Sequence, residues 1–119
     1  MKTIHEFPKG LVSVYPTVFG DERGFFLESF NKESYKEFIP NLTFVQDNLS
    51  KSKKGVLRGL HFQAPPFDQG KLVQVITGSV LDVVVDIRKD SPSYGQHFKV
   101  ILNTIDRNQL WIPPGFAHG

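Results

Sequence analysis

Turn signals punctuate this chain at intervals too short for a helical domain. Phe19–Gly24, Ala64–Gly70, Gly78-Ser79, Ser91–Gly95 and Asp106–Asn108 are each rich in Gly, Pro, Asp or Ser. The runs between them favour β structure: 10–18, broken at Pro16, then 25–30, 44–49, 55–63, 71–77, 80–88, 98–102 and 109–112. Strands spaced by turns roughly every 8–12 residues predict an all-β antiparallel sandwich or barrel. One segment breaks the pattern. Asn31–Ile39 reads as a short helix, with Asn31 as its cap, Glu33 in the first turn and Pro40 as its stop. Gly78-Ser79 suits a two-residue turn, so 71–77 and 80–88 are expected to form a hairpin in which Lys71 faces Asp86. Alternation then puts Lys71, Asp82, Asp86 and Arg88 on one face, and that face lines either water or a polar cavity.

At 119 residues the chain is one domain, 1–119. It has no Cys, which excludes disulfides, thiolate metal sites and Cys nucleophiles. No apolar run approaches the roughly 20 residues of a membrane span, and the start, Met1–Glu6, is too polar for a signal peptide. A cytoplasmic protein without membrane contact is expected. The net charge of +2 is too small to point to nucleic acid. The one basic run, Lys51, Lys53 and Lys54, reads as a solvated loop.

Gly55–Gln63 concentrates the chemistry: Arg58, Gly59 and His61 lie within four residues. Strict alternation puts Arg58 and His61 on opposite faces, so for both to reach one cavity the pleat must break, and Gly59 is where a bulge could do it. The alternative is a surface Arg58 on an edge strand and a core His61 bonded to a backbone carbonyl. Glu28, between Phe26 and Phe30, wants a partner, and Arg23 is the near candidate. Gln46 and Asn48 present carboxamides on one face of 44–49. His5 and His97 stand apart from other polar groups.

Pro113-x-Gly115-x-x-His118 resembles the second motif of cupin barrels, whose histidine faces the interior. Metal-binding cupins supply a His-x-His pair and a carboxylate from the first motif. Here the pair would be His61-Phe62-Gln63, and no Glu follows Gln63. Two imidazoles without an acidic ligand make a poor transition-metal site, so no metal and no cofactor are expected.

Six blocks, in order along nearly the whole chain, resemble the dTDP-4-dehydrorhamnose 3,5-epimerase family. They are Val18–Phe26, Phe44–Asn48, Val56–Gln63, Gly70–Val73, Val84–Arg88 with Ser91-Pro92, and Pro113–Gly119. The resemblance implies a cupin-like jelly roll, a homodimer with exchanged N-terminal strands, and inversion at C3 and C5 of a dTDP-linked 4-keto-6-deoxy sugar in dTDP-rhamnose biosynthesis. It makes His61 the base, which suits an imidazole's ordinary pKa of about 6.5. Lys71 and Arg58 would lie near the ketone oxygen. Asp82 or Asp86 would hold Lys71, with Asp82 counted in the catalytic set. Arg23, Glu28, Gln46, Asn48, Arg58, Lys71 and His118 would bind the substrate. Phe19 and Phe26 would border the thymine, from the same subunit or its partner.

Family members continue past the block ending at Gly119. That continuation carries the acid Tyr, a thymine-stacking aromatic and a carboxylate for the base. The resemblance therefore implies a fragment or a shortened relative, with Tyr15, Tyr35 and Tyr94 structural. A related ketoisomerase and a dTDP-sugar binding protein without turnover are the alternative expectations.

Overall fold

The structure is a computed structural model that describes residues 3–7, 10–39 and 43–119. Its first sheet joins β1 (Thr3–Glu6), β2 (Val12–Tyr15), β8 (Gln109–Ile112) and β5 (Lys71–Gln74), in that order. A second sheet sets β6 (Ser79–Asp86) between β7 (His97–Asn103) and β9 (Phe116–His118). A separate hairpin pairs β3 (Val18–Asp21) with β4 (Gly24–Leu27). All these pairings are antiparallel. This is the all-β architecture that the turn spacing predicts.

The two large sheets share one apolar cluster. Leu110 and Ile112 of β8 meet Val84, Val100, Leu102 and Phe116 from the other sheet, with Leu11 beside them. Alternation along β8 sends Trp111 to the opposite face, where Val12, Val14, Tyr35, Phe38 and Ile39 pack around it. β8 is thus buried on both sides, and each such apolar side chain contributes about 1.5–3 kcal/mol by leaving water.

Helix α1 covers only Lys32–Tyr35, shorter than predicted. Asn31 caps it as expected, accepting from the amides of Glu33 and Ser34. Beyond Tyr35 the chain turns, and Phe38 and Ile39 both donate to the Tyr35 carbonyl as their side chains enter the Trp111 cluster. The proposed stop at Pro40 lies outside the described residues.

Three further expectations need correction. The hairpin of 71–77 with 80–88 does not form. β5 pairs with β8, where Lys71 lies opposite Ile112, and β6 pairs with β7 and β9. A strand has two edges, and both edges of β6 are taken, so Gly78-Ser79 links two sheets instead of closing one hairpin. Among the described residues, 44–49 form no strand, and 55–63 contributes only the isolated bridge of His61 to His118. Val45 and Leu49, 91% and 87% exposed, have no buried face to fix a register. Finally, Phe19, Gly20 and Asp21 belong to β3, because the Phe19–Phe26 cross-strand pair extends the ladder and leaves Glu22-Arg23 as the turn.

Candidate active site

From Asp82 on, every second residue of β6 points into the protein: Asp82 is 4% exposed, Val84 and Asp86 0%. The charged face of this strand therefore lines a polar interior and not water. Two buried carboxylates on one strand face require partners, and each finds a different set.

Asp82 meets His118. The Nδ1 of His118 lies 3.1 and 3.3 Å from the two carboxylate oxygens. A carboxylate only accepts, so Nδ1 carries the proton and Nε2 is left with its lone pair. The Lys71 ammonium lies 3.4 Å from that Nε2. Asp82, His118 and Lys71 thus form a chain running from β6 across β9 to β5. An ammonium has three donors, so after donating to His118 Lys71 keeps two for another oxygen.

His61 joins this chain through the backbone. Its amide donates to the His118 carbonyl at 2.8 Å, and the His118 amide donates back at 3.1 Å. Two glycines make that approach possible. A Cβ on Gly119 would lie 2.1 Å from the Arg58 carbonyl oxygen, and one on Gly59 2.9 Å from that of His118. Gly59 also has φ +105°, which side chains disfavour. This crossing is not a bulge in a strand, and it does not bring Arg58 to His61: Arg58 is held by Ser52 and Lys51 in an exposed loop. The result of the crossing is an exposed imidazole at 61 beside a largely buried one at 118.

Asp86 serves a second cluster. It accepts from the Arg88 side chain and amide and from the hydroxyls of Ser91 and Ser93. Burial alone would raise its carboxyl pKa, but these hydrogen bonds together hold it well below the usual carboxylate range. The choice left open for Lys71 is thereby narrowed: Asp82 reaches it through His118, and Asp86 is engaged with Arg88.

The remaining candidates lie apart. Arg58 donates to Ser52 Oγ at 2.8 Å and to the Lys51 carbonyl at 3.3 Å in an exposed loop. Arg23 pairs with Asp21 at 2.6 Å and not with Glu28, which accepts from the Asn31 side-chain Nδ2 at 3.2 Å. Two residues across a tight turn are closer neighbours than Glu28, which lies past the end of β4. That pairing raises the Arg23 pKa and lowers that of Asp21. Gln46 donates to Asn48 at 3.2 Å. Phe19 and Phe26, 61% and 69% exposed, border an open groove of about 390 Å³ on the hairpin, with Arg23 beside them. His5 and His97 are exposed. The Tyr35 hydroxyl lies 2.7 Å from Gln109 Oε1, and burial with nearby Glu28 pushes its pKa up to about 12 against that hydrogen bond.

Lys71 and His118 also border a cavity of about 10 Å³, lined in addition by Phe62, Gln63, Gln69, Ile112, Gly115 and Phe116. It has room for about one water. It is too small for anything the size of a sugar. Phe62, Gln63, Gly115 and Phe116 lie in the resemblance blocks without a predicted role, and Gln69 and Ile112 lie just outside those blocks. The Asp82–His118 contact had no sequence signal, since the two residues are 36 apart.

The two packed sheets match known structures. A Legionella pneumophila dTDP-6-deoxy-D-glucose-3,5-epimerase, solved in complex with dTDP-4-keto-L-rhamnose, aligns with TM-score 0.94 at 50% identity, covering 99% of this chain and 63% of that one. A Bacillus anthracis dTDP-4-dehydrorhamnose 3,5-epimerase with TDP and PPi bound aligns with TM-score 0.94 at 43% identity, covering 99% and 69%. The fold is their cupin-like jelly roll. Among curated relatives, the Salmonella typhimurium dTDP-4-dehydrorhamnose 3,5-epimerase is 61% identical over 105 residues, covering 87% of this chain and 57% of its own. The Escherichia coli enzyme of the same name is 48% identical over 120 residues, covering 100% and 65%. The chain thus spans less than two thirds of the length of these curated relatives. The family model described as dTDP-4-dehydrorhamnose 3,5-epimerase matches residues 8–119. On this evidence the chain belongs to the dTDP-4-dehydrorhamnose 3,5-epimerase family.

Proposed function

We propose that the chain carries the proton-abstracting site of an epimerase acting at C3 and C5 of dTDP-4-dehydro-6-deoxy-D-glucose. The observation that carries this reading is the Asp82–His118–Lys71 chain set against the backbone of His61. Hydrogens on carbons beside a ketone are acidic because the resulting carbanion delocalises onto oxygen. His61, whose imidazole is exposed, removes such a hydrogen. Lys71, oriented by His118, donates to the C4 oxygen as negative charge develops there. Asp82 holds His118 in the tautomer that keeps Nε2 free to accept from Lys71. Arg58 supplies a fork suited to the diphosphate, and Phe19 with Phe26 offers faces for the thymine. Asp82 is engaged by His118, and the Lys71 ammonium would repel a divalent ion at this position.

The proton returned to the other face comes from an acid, a Tyr that the family resemblance puts beyond the block ending at Gly119. The working unit is a homodimer in the cytoplasm, as the resemblance implies, and light scattering on the purified chain tests the dimer. Among the described residues no helix is long and apolar enough to cross a membrane.

Incubating the chain with dTDP-4-dehydro-6-deoxyglucose in D2O, followed by NMR, tests the reaction. Deuterium at both C5 and C3 is expected. Exchange at C3 alone, with migration of the keto group, would indicate a ketoisomerase instead. Binding of dTDP without any label would indicate a binding protein.

A further inference from the structure

The second buried carboxylate cluster lies on the same strand face as Asp82, and the site does not use it directly. Its geometry bears on β9. Asp86 lies opposite Phe116 in the β6–β9 register, two pairs along from Val84 opposite His118. Arg88 is bound to Asp86 through Nε at 3.1 Å and Nη2 at 3.3 Å. From there its guanidinium lies 4.5 Å from the centroid of the Phe116 ring. The stem of Arg88 fills the space over Gly115, where an added Cβ would lie 2.5 Å from its Cγ. The Ile87 amide donates to the Gly115 carbonyl at 3.2 Å. Arg88 therefore grips β9 at its first residue through a ring face, a glycine and a fixed carboxylate.

β9 is only three residues long, and its last one carries the chemistry. Its side chain holds Lys71, and its backbone holds His61. We infer that Arg88 is a positioning residue: clamped by Asp86 onto Gly115 and Phe116, it sets the placement of β9, and through it His118, Lys71 and His61. Three features fit this role better than simple cohesion. The cation is stacked on an aromatic that lines the cavity beside Lys71 and His118. Its carboxylate is fully buried and held by four separate groups, so the anchor does not swing. The clamp lies at the opposite end of β9 from the histidine, where a small shift propagates along a short strand. Lys in place of Arg would keep the charge but lose the planar fork that binds Asp86 and stacks on Phe116 at once.

The inference rests on the proposed proton abstraction for its kinetic readout, and on NMR for a readout independent of it. The test compares wild type with Arg88→Met, which keeps an apolar stem over Gly115, and Arg88→Lys. In D2O exchange, Arg88→Met should lower kcat about tenfold, as misplaced catalytic groups do, with KM and dTDP affinity within about twofold of wild type. Arg88→Lys should recover only part of that loss. In substrate-free protein, the His118 Nδ1 proton bonded to Asp82 should give a slowly exchanging downfield signal, which Arg88→Met weakens or shifts. Wild-type kcat with an unchanged His118 signal in Arg88→Met would overturn the inference. So would a fall in kcat matched by an equal fall in dTDP affinity and folded fraction, which marks a purely structural role. If wild type itself shows no exchange, the reaction reading fails, and the His118 signal alone decides on Arg88.

Discussion

The β6–β9 seam and the β3–β4 hairpin treat their side chains in opposite ways. At the seam, buried charges are matched within the chain: Asp82 by His118, and Asp86 by Arg88, Ser91 and Ser93. On the hairpin, Phe19 and Phe26 face outward, and the one ion pair, Arg23 with Asp21, is itself exposed. Buried polar groups are costly unless fully paired, so a network of this kind holds its members in one arrangement. An exposed aromatic face costs the fold little and remains available to a ligand's ring. The contrast separates two tasks. On the proposed reading, the seam fixes the groups that move protons, and the hairpin offers surface for binding.

Substitutions at the two regions should therefore fail differently. The largest effect is expected at His61: His61→Ala should lower deuterium exchange by at least about 10²-fold, while calorimetry finds dTDP affinity nearly unchanged. Retained exchange in that variant would reject His61 as the base. Lys71→Met should cost on the order of 10²-fold in kcat, again with little effect on dTDP binding.

Asp86→Ala attacks the fold at the seam. It strands Arg88 and two hydroxyls, and chemical denaturation should show a loss of about 2–4 kcal/mol at pH 7. The pH dependence has a definite sign. The native Asp86 carboxyl is held below its unfolded pKa of about 3.9. Its contribution is therefore complete above that value and declines as pH falls from about 4 toward the lower native pKa. Wild type should lose stability over that range, and Asp86→Ala should lose less of it.

Phe26→Ala probes the hairpin. Its stability should stay within about 0.5 kcal/mol of wild type, while dTDP binding weakens about tenfold, as for an aromatic anchor. Equal losses of stability and binding would erase the distinction between the two regions. The smallest effect expected is none: EDTA should leave exchange unchanged, and lost activity would bring back a metal-dependent reading.

Turn chemistry and alternation carried much of the fold. The Asn31 cap, the strand at 109–112 and the shared face of Asp82 and Asp86 follow from local residue order, whereas the burial of that face does not. Strand partnership did not, because Gly78-Ser79 reads the same whether the chain reverses within a sheet or passes to another. What decided it was competition for the edges of β6, a property of the whole chain. At the site, His61, Lys71, Asp82 and His118 were all individually visible as chemistry-bearing types in distinctive blocks. Their joining was not, since it depends on β9 lying between β6 and the His61 segment. Residues 44–49 and 55–63 misled for a different reason. Their composition is strand-like, but apart from the His61 bridge they have no pairing partner among the described residues.

A crystal structure of the chain with a bound dTDP-4-keto-6-deoxy sugar tests the central claim most directly. The account predicts the His61 imidazole within about 3.5 Å of C5 or C3, with the Lys71 ammonium on the C4 oxygen and still against His118. A sugar held elsewhere, with His61 turned to solvent or sharing an ion with His118, would contradict it.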